Sequence, residues 1–578
     1  MLTLPNNSRL KVKFTPEQEH IFEFVRNGEG HGIIDAVAGA GKTTTIMECA
    51  RFAADPTRVL FCAFNNSIAR EIDKKFKERG MAGVVTKTIH ALGFQILREN
   101  SNYANRLDLR ESKYRTIFKS EDMQKKLRPY VRQLLDLHGL DPQQTDSRKV
   151  FARKNLLFRL ERRLLEINQK HRSVLNGPKF KAFREMVLHY GIFTHPEENS
   201  KTFREELELY HAMSRLLLKA GTEMAARSQV IDFTDMIYLP FVWKLNSAVK
   251  YDWIFIDECQ DLSKAQFAIA AKYGKTGSRI LAVGDPRQSI YGSTGADVES
   301  FDRVKRMTRA TQLPLTTCFR CPTSVIALAK EIRSDIVGAK TEPGSVTPID
   351  IEAVTELAVP GDLIISRFRA PILLLIFDFI DQNVKVRVAE DEAQEFINEL
   401  KMLFKPAERQ ASIKRRYKTF AALKETVFAR NMWVIRQSAA KIAKAAEREI
   451  YLQTETEYLE KRLAFLHKKH EKWQSKCRTV EAILERIKAF VSAKKNAIKL
   501  STIHRAKGLE EKRVFVLDYD QLPFARQGQR DWEKVQELNL KYVAITRASE
   551  RLFVVESADV EEMEEEQSLF DTLPFDVR

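Results

Sequence analysis

Lys42 and Thr43 follow a run of small residues, Ala38-Gly39-Ala40-Gly41, and precede a helix-compatible segment from Thr44 to Phe52. The apolar stretch Gly32-Ile33-Ile34 leads into that run. Strand, glycine-rich loop and helix start, in that order, are what a phosphate cradle requires. Small residues let backbone N–H groups face phosphate oxygens, and the helix start adds the positive end of its dipole. In such a loop Lys42 reaches the β- and γ-phosphates, and Thr43 holds Mg²⁺ through its hydroxyl. One position departs from the general pattern, because Ala36 stands where the first glycine is expected. An ordinary glycine-rich turn shares some of these residues, but Gly-Lys-Thr in this setting points to a bound nucleotide.

A second cluster fits the first. Trp253-Ile254-Phe255-Ile256 is an apolar strand-like run that ends in Asp257-Glu258, followed by Cys259-Gln260-Asp261. Two adjacent carboxylates at a strand end divide the work of hydrolysis. Asp257 binds the metal, directly or through water, and Glu258 polarises the attacking water as a general base. Together the two clusters imply hydrolysis of Mg-ATP.

The elements that must position these residues are short apolar runs. They span 32–35, 58–64, 253–256 and 279–284, then 362–366, 498–503, 513–518 and 551–555. Such runs, separated by helical stretches, predict buried parallel strands of α/β domains. They fall into two groups, 32–284 and 362–555, each interrupted by a helical insert. The first insert shows helical periodicity, as in Leu156-Leu157-Leu160-Leu164-Leu165. The second has neither Gly nor Pro from Ala407 to Lys507, and its Ala-, Glu-, Lys-, Leu- and Arg-rich portion predicts long helices, with a hairpin expected.

The chain has 578 residues, 44% apolar and 30% charged, a composition that predicts several soluble globular domains. No apolar run approaches the ~20 residues of a membrane-crossing helix, and residues 1–14 lack the apolar core of a signal peptide. Six scattered cysteines suit a reducing compartment, and Cys318-Phe319-Arg320-Cys321, without a second pair, is too little for a four-ligand zinc site. All six are expected as free thiols. The net charge of +17 is concentrated in the inserts: residues 101–200 hold 21 Lys+Arg against 12 Asp+Glu, and residues 401–500 hold 25 against 10. Two basic inserts on an otherwise mildly acidic chain point to a polyanion, most simply nucleic acid, although solvated helix faces of a basic protein would look similar.

Further stretches, in this order around the ATP motifs, resemble superfamily 1 helicases of the UvrD/Rep/PcrA type. Phe14-Thr15-Pro16-Glu17-Gln18 looks like the adenine-reading segment, with Gln18 on the base edge. Val59 to Asn66 resembles the first DNA-contacting motif, with Phe64 packing on a nucleobase and Asn65 beside it. Thr86 to Gly93 resembles the next, with Thr88 and His90 on the DNA backbone. Val283-Gly284-Asp285-Pro286-Arg287-Gln288-Ser289-Ile290-Tyr291 resembles the motif that couples γ-phosphate to DNA, where Gln288 senses phosphate and Tyr291 stacks on a base, at ~1–3 kcal/mol per base. Phe319 and Arg320 stand where the family has Tyr-Arg, implying adenine stacking and an arginine finger. Ser501 to Glu510 nearly completes another motif, with Thr502 and His504 on DNA and Glu510 in the ribose or phosphate-sensing network. Asn539 to Ala548 matches the last motif, with Arg547 as second arginine finger. One departure stands out. Gly292-Ser293-Thr294-Gly295-Ala296-Asp297 lacks the Trp-Arg pair usual after the tyrosine, which removes one stacking platform and one phosphate sensor. The short second insert and Val384-Lys385-Val386-Arg387-Val388 look closer to the compact F-box-helicase-like branch than to bacterial UvrD.

The resemblance implies an α/β fold of two RecA-like parallel-sheet P-loop domains, each with a largely helical insert. The expected boundaries are 1–100 and 216–300 for the first domain, with the basic insert 101–215. The second domain takes 301–385 and 496–556, with the strongly basic insert 386–495, and an acidic tail follows at 557–578. The implied function is an ATP- and Mg²⁺-dependent single-stranded DNA translocase or helicase moving 3′ to 5′. It would unwind duplex DNA in replication, repair or recombination, binding single strands and single/double-strand junctions. The alternative is a DNA-dependent ATPase module that regulates a partner nuclease or repair complex without processive unwinding by itself. No nuclease motif follows the last helicase-like motif, so no fused nuclease is expected. In the tail, Gln567, Leu569, Phe570 and Phe575 form a docking-like pattern for a protein partner, against the plainer reading of a solvated terminus. A monomer or weak oligomer is expected, with no membrane association. The expected location is cytoplasmic: nucleoid-associated in a prokaryote or phage, nuclear in a eukaryote.

Overall fold

In the computed structural model the described residues are 13–100, 107–140, 147–193, 200–292, 299–402, 420–439, 452, 456, 459–460, 463–464, 480–492, 495–525 and 529–556. The chain divides into two compact units. The first comprises 1–319, 335–339 and 527–539, and the second comprises 320–334, 340–526 and 540–578.

The first unit is built on a six-stranded, wholly parallel sheet. Its strands run in the order Val85–Thr88, Val59–Ala63, Tyr251–Ile256, Gly274–Gly284, Gly32–Ala36, Thr311–Leu315. The central strands are apolar along their length, as Val59-Leu60-Phe61-Cys62-Ala63 shows, because helices cover both faces and no face is left for water. Ile33, Leu60, Ile254, Ile256 and Ala282 form its core with Phe267 and Ile269 of the helix Lys264–Ala271. The register sets Asp35 beside Gly284 and Cys62 beside Ile256. The carboxyl ends of these strands therefore gather the loops that follow them, the usual place for a ligand in an open α/β sheet.

The first insert leaves and returns through a two-stranded ladder, Asp108–Leu109 with Val230–Ile231. Between them lie helices Lys113–Lys119, Glu121–Leu137, Ser147–Ser173, Phe180–His189 and Lys201–Ser228, packed around Leu127, Leu134, Leu160, Leu164, Phe183 and Leu207. Its tie to the sheet domain is a buried ionic cluster. Arg172 donates to both Asp232 oxygens, Nη1 to Oδ1 at 2.6 Å and Nη2 to Oδ2 at 2.8 Å, and Nη1 also reaches Asp235 Oδ1 at 2.8 Å. Lys113 pairs with the other Asp235 oxygen, and the Arg172 guanidinium lies 4.1 Å from the Tyr114 ring centroid. Two cations and two carboxylates leave no net charge. Burial pulls the Lys113 ammonium below its ordinary range, and Asp235 opposes that shift.

The second unit carries another six-stranded parallel sheet, in the order Ser345–Ile349, Ala548–Val555, Glu511–Val516, Leu363–Ser366, Ile498–Thr502, Val386–Arg387. Its insert leaves after one strand and re-enters at its neighbour. Val388 N–H donates to Val491 O at 3.1 Å and Ile498 N–H to Lys385 O at 3.1 Å. Helices Glu390–Met402, Phe420–Ala439 and Val480–Val491 share one core with the sheet, where Phe396, Val427, Ile483 and Ile487 join Ile364 and Phe515. Among the described residues no helix is long and apolar enough to cross a membrane, and Cys49, Cys62, Cys259, Cys318 and Cys321 are free thiols.

The eight expected strands are present, and three boundaries move. The helix Ser300–Thr308 and strand Thr311–Leu315 belong to the first unit, because that strand pairs with Gly32–Ala36; the second unit begins at Arg320 rather than 301. The expected break at 215/216 falls inside the continuous helix Lys201–Ser228. Residues 527–539 join the first unit, so the division falls within the helix Asp531–Ile545. The acidic tail lies outside the described residues.

The ionic cluster yields a stability prediction. Arg172→Met leaves Asp232 and Asp235 buried without their shared cation, at a cost of about 3–5 kcal/mol. Chemical denaturation should show that loss, and an unchanged midpoint would contradict the coupling of insert to sheet.

Candidate nucleotide and nucleic-acid sites

The phosphate loop leaves the strand Gly32–Ala36 and opens the helix Lys42–Cys49. Gly39 and Gly41 take left-handed φ values of +68° and +76°, a region that costs a side-chain-bearing residue about 1–2 kcal/mol. Gly41 is the helix N-cap and offers no side-chain cap. The first N–H groups of the helix therefore lack a side-chain acceptor from that position, as an anion site requires. Ala38 and Ala40 are fully buried and Thr44 is exposed.

Thr43 Oγ1 donates to Asp257 Oδ2 at 2.8 Å, across 214 residues of sequence. A hydroxyl and a carboxylate held together at the head of the loop are hard oxygen donors, and they fit Mg²⁺. Burial, and then the charge of Glu258, push Asp257 up to about 6, with Thr43 and Lys42 pulling the other way. Glu258 is half-buried with φ +52°, an unusual conformation for a side-chain-bearing residue. Its N–H donates to Asp257 Oδ1 at 2.9 Å.

Gln18 and Phe319 flank the loop. Gln18 closes a capping box with Thr15 and donates from Nε2 to Thr45 Oγ1 at 2.9 Å, which ties the N-terminal helix to the loop helix. Phe319 N–H donates to Gly39 O at 3.0 Å while the residue is 45% exposed.

The residue that sequence reasoning passed over is Gln260. Its amide is fully buried and touches both sides of the site. Nε2 donates to Glu258 Oε2, and Oε1 accepts from Asp285 N–H at 3.1 Å. Asp285 Oδ2 in turn accepts from Gln288 Nε2 at 2.8 Å. A continuous run of hydrogen bonds thus joins Thr43, Asp257, Glu258, Gln260, Asp285 and Gln288. Three residues beyond Gln288, the Tyr291 ring stacks with Phe64 at 6.2 Å between centroids and 17° between planes. The connecting turn is fixed from far along the chain. Asn539 Nδ2 donates to Ser289 O at 2.9 Å, Gln536 Oε1 accepts from Gly292 N–H at 2.9 Å, and Lys170 Nζ donates to Gly292 O at 3.2 Å. Trp532 closes the cage, since a Cβ on Gly292 would lie 2.5 Å from its ring. Ser293 and Thr294 lie outside the described residues.

Asn65 and Thr88 both serve as helix N-caps, accepting from Ile68 N–H at 2.9 Å and Ala91 N–H at 3.3 Å. His90 stacks on the exposed Phe233 ring at 4.1 Å between centroids. Phe233 sits between Asp232 and Asp235 of the buried ionic cluster, so the insert's anchor also sets this aromatic pair. No sequence signal marks it. Burial pushes His90 down to about 4, and burial with Arg367 does the same to His504. Both imidazoles are therefore neutral near pH 7.

In the second unit Thr502 caps the turn that holds His504. Arg320 pairs with Glu510 and donates from Nη1 to Thr546 O at 3.1 Å. Arg547 is buried and donates from Nε to Val543 O at 2.8 Å and from Nη1 to Leu509 O at 3.0 Å. The structure thus gathers Arg320, Glu510 and Arg547 at one turn.

The sequence comparisons agree with this geometry. Residues 15–308 match the UvrD/REP helicase N-terminal domain, and residues 372–558 match the UvrD-like helicase C-terminal domain. The chain belongs to the UvrD/REP helicase family. It is 26% identical over 363 residues to DNA helicase IV of Escherichia coli, covering 58% of this chain and 49% of that protein. It is 25% identical over 333 residues to ATP-dependent DNA helicase PcrA of Staphylococcus aureus, covering 54% of this chain and 39% of the relative. The chain thus spans about half or less of the curated relatives it matches.

Gln260→Leu should cost about 1–3 kcal/mol, because the buried Asp285 N–H loses its acceptor. Thermal unfolding of the variant should be shifted downward, and an unshifted transition would contradict the hydrogen-bond chain.

Proposed function

We propose that this chain is an ATP-dependent DNA helicase that translocates along single-stranded DNA 3′ to 5′, in replication, repair or recombination. The observation that carries the reading is the hydrogen-bonded run from Thr43 and Asp257 through Gln260 to Gln288, three residues before Tyr291. Lys42 and the loop N–H groups hold the phosphates, Gln18 and Phe319 the adenine. Mg²⁺, held by Thr43 and Asp257, supplies Lewis acidity at the phosphate oxygens when bound. Glu258 orients the attacking water and accepts its proton. Gln260 fixes the Glu258 carboxylate, so the base is aimed before substrate arrives. Arg320 and Arg547 neutralise charge that develops on the γ-phosphate, with Glu510 holding Arg320 until then. Loss of that phosphate changes what Gln288 senses, and the change reaches the Tyr291–Phe64 platform through one short turn. In the first unit Phe64, Asn65, Thr88, His90 and Tyr291 would contact the strand; in the second, Thr502 and His504 would do so. The chain acts as a monomer or weak oligomer where its DNA is, in cytoplasm, nucleoid or nucleus.

A second reading is a DNA-dependent ATPase that regulates a partner nuclease or repair complex. It rests on Ser293 and Thr294, which replace a Trp-Arg pair. Both readings expect Lys42→Ala to abolish DNA-stimulated ATP hydrolysis. They part on strand displacement by the purified chain. The helicase reading expects a 3′-tailed duplex to be unwound and a 5′-tailed one to be left intact. Hydrolysis without displacement, restored by a partner, would favour the regulatory module; a 5′ preference would reject the polarity.

A further inference from the structure

Beyond the strand contacts already assigned, the first unit holds a groove of about 680 Å³ along the outer edge of its sheet. Its floor is the strand Val85–Thr88, the last in the sheet order, which among the described residues pairs only with Val59–Ala63. Its walls are the helices Asn66–Glu78 and Ile89–Glu99. Asn66 and Thr88 line the same groove, so it continues from the two helix starts where Asn65 and Thr88 stand.

The charges inside are not balanced. Asp73 is paired with Lys77, and Glu99 accepts from Ala248 N–H at 3.0 Å and from Gln95. Lys87 is held by Gln95. Arg70 and Arg98 are both exposed, and among the described residues neither has a hydrogen bond or ion pair. The carboxylates are therefore already engaged, while two guanidinium groups, one on each wall, are left for an external anion. A separate observation points the same way. Among the described residues Thr86 Oγ1, on the groove floor, is buried without a hydrogen-bond partner, a state that costs about 1–3 kcal/mol unless a ligand supplies the bond.

We infer that this groove binds the sugar–phosphate backbone of the DNA strand where it extends past Asn65 and Thr88. This rests on the helicase reading, and it extends the track from the motif residues Asn66, Thr86 and Thr88 to Arg70 and Arg98, to which no role was assigned. Arg70 and Arg98 grip successive phosphates as bidentate donors, and Thr86 supplies a hydroxyl to an oxygen between them. Contacts of this kind are indifferent to sequence, as a translocating strand requires.

The test measures binding of a graded series of oligothymidylates to the full chain over a range of salt. The unaltered chain should gain affinity with length until the groove is filled. R70Q/R98Q should keep its affinity for the shortest oligonucleotides and lose tenfold or more for the longest. Its log–log salt slope for long strands should fall by about 1.4, at ~0.7 per single-strand phosphate contact. R70K/R98K, which keeps the charge, should retain most of the slope, and equal unfolding midpoints would show that all three chains are folded. Unchanged affinity and slope in R70Q/R98Q, with the unaltered chain binding normally, would overturn the groove alone. Failure of the unaltered chain to bind any oligonucleotide would overturn the helicase reading and the groove with it.

Discussion

Gln260 has one amide and commits both of its ends. One end holds the Glu258 carboxylate and the other receives the backbone N–H of Asp285. The side chain is fully buried, so no water can stand in for either partner without opening the sheet's carboxyl edge. The sheet makes this possible. Parallel strands Tyr251–Ile256 and Gly274–Gly284 are neighbours in register, which sets the loops at 257–261 and 285–291 side by side. Gly284 is required at that crossing, because a Cβ there would lie 2.4 Å from Gln260 Oε1.

The first insert is part of this arrangement and not an appendage. Arg172 and Lys113 neutralise Asp232 and Asp235 and so fix the loop that carries Phe233 against His90. Lys170, on the same helix as Arg172, holds the carbonyl of Gly292. In the second unit a comparable clamp grips the turn that carries Thr502 and His504. Arg505, next to His504, is bound by both oxygens of Asp391 at 2.7 and 2.6 Å, and by Glu392 at 3.2 Å. Both carboxylates lie in the first turn of a helix of the second insert, a position that also favours acidic residues electrostatically. Each insert is thus attached to its own sheet domain through local charge pairs.

The phosphate loop and the Asp257-Glu258 pair were legible because both the residue types and the spacing are demanded by the chemistry. Interior strands were legible too, since burial on both faces forces continuous apolar runs. Edge strands were not: three of the four residues of Val85–Thr88 are polar, and Thr311–Leu315 contains Pro314, which only an edge tolerates. Through that edge, paired with Gly32–Ala36, the first sheet extends past residue 301. The buried Lys113–Asp235–Arg172–Asp232 cluster was hidden because charged residues read as solvent-facing unless their partners are known, and these partners lie 60 to 122 residues apart. Gln260 escaped notice for a different reason: a glutamine carries no chemistry by type, only by what its two ends reach.

The most direct test of the coupling is a double-mutant cycle between Gln260 and Tyr291, read as the stimulation of ATP hydrolysis by single-stranded DNA. If Gln260 carries the signal from the phosphates to the stacking platform, Gln260→Leu and Tyr291→Ala each reduce stimulation. The double variant then loses little more than either, a coupling above about 1 kcal/mol. Fully multiplicative losses would contradict the account, since the two residues would then act on hydrolysis by separate routes.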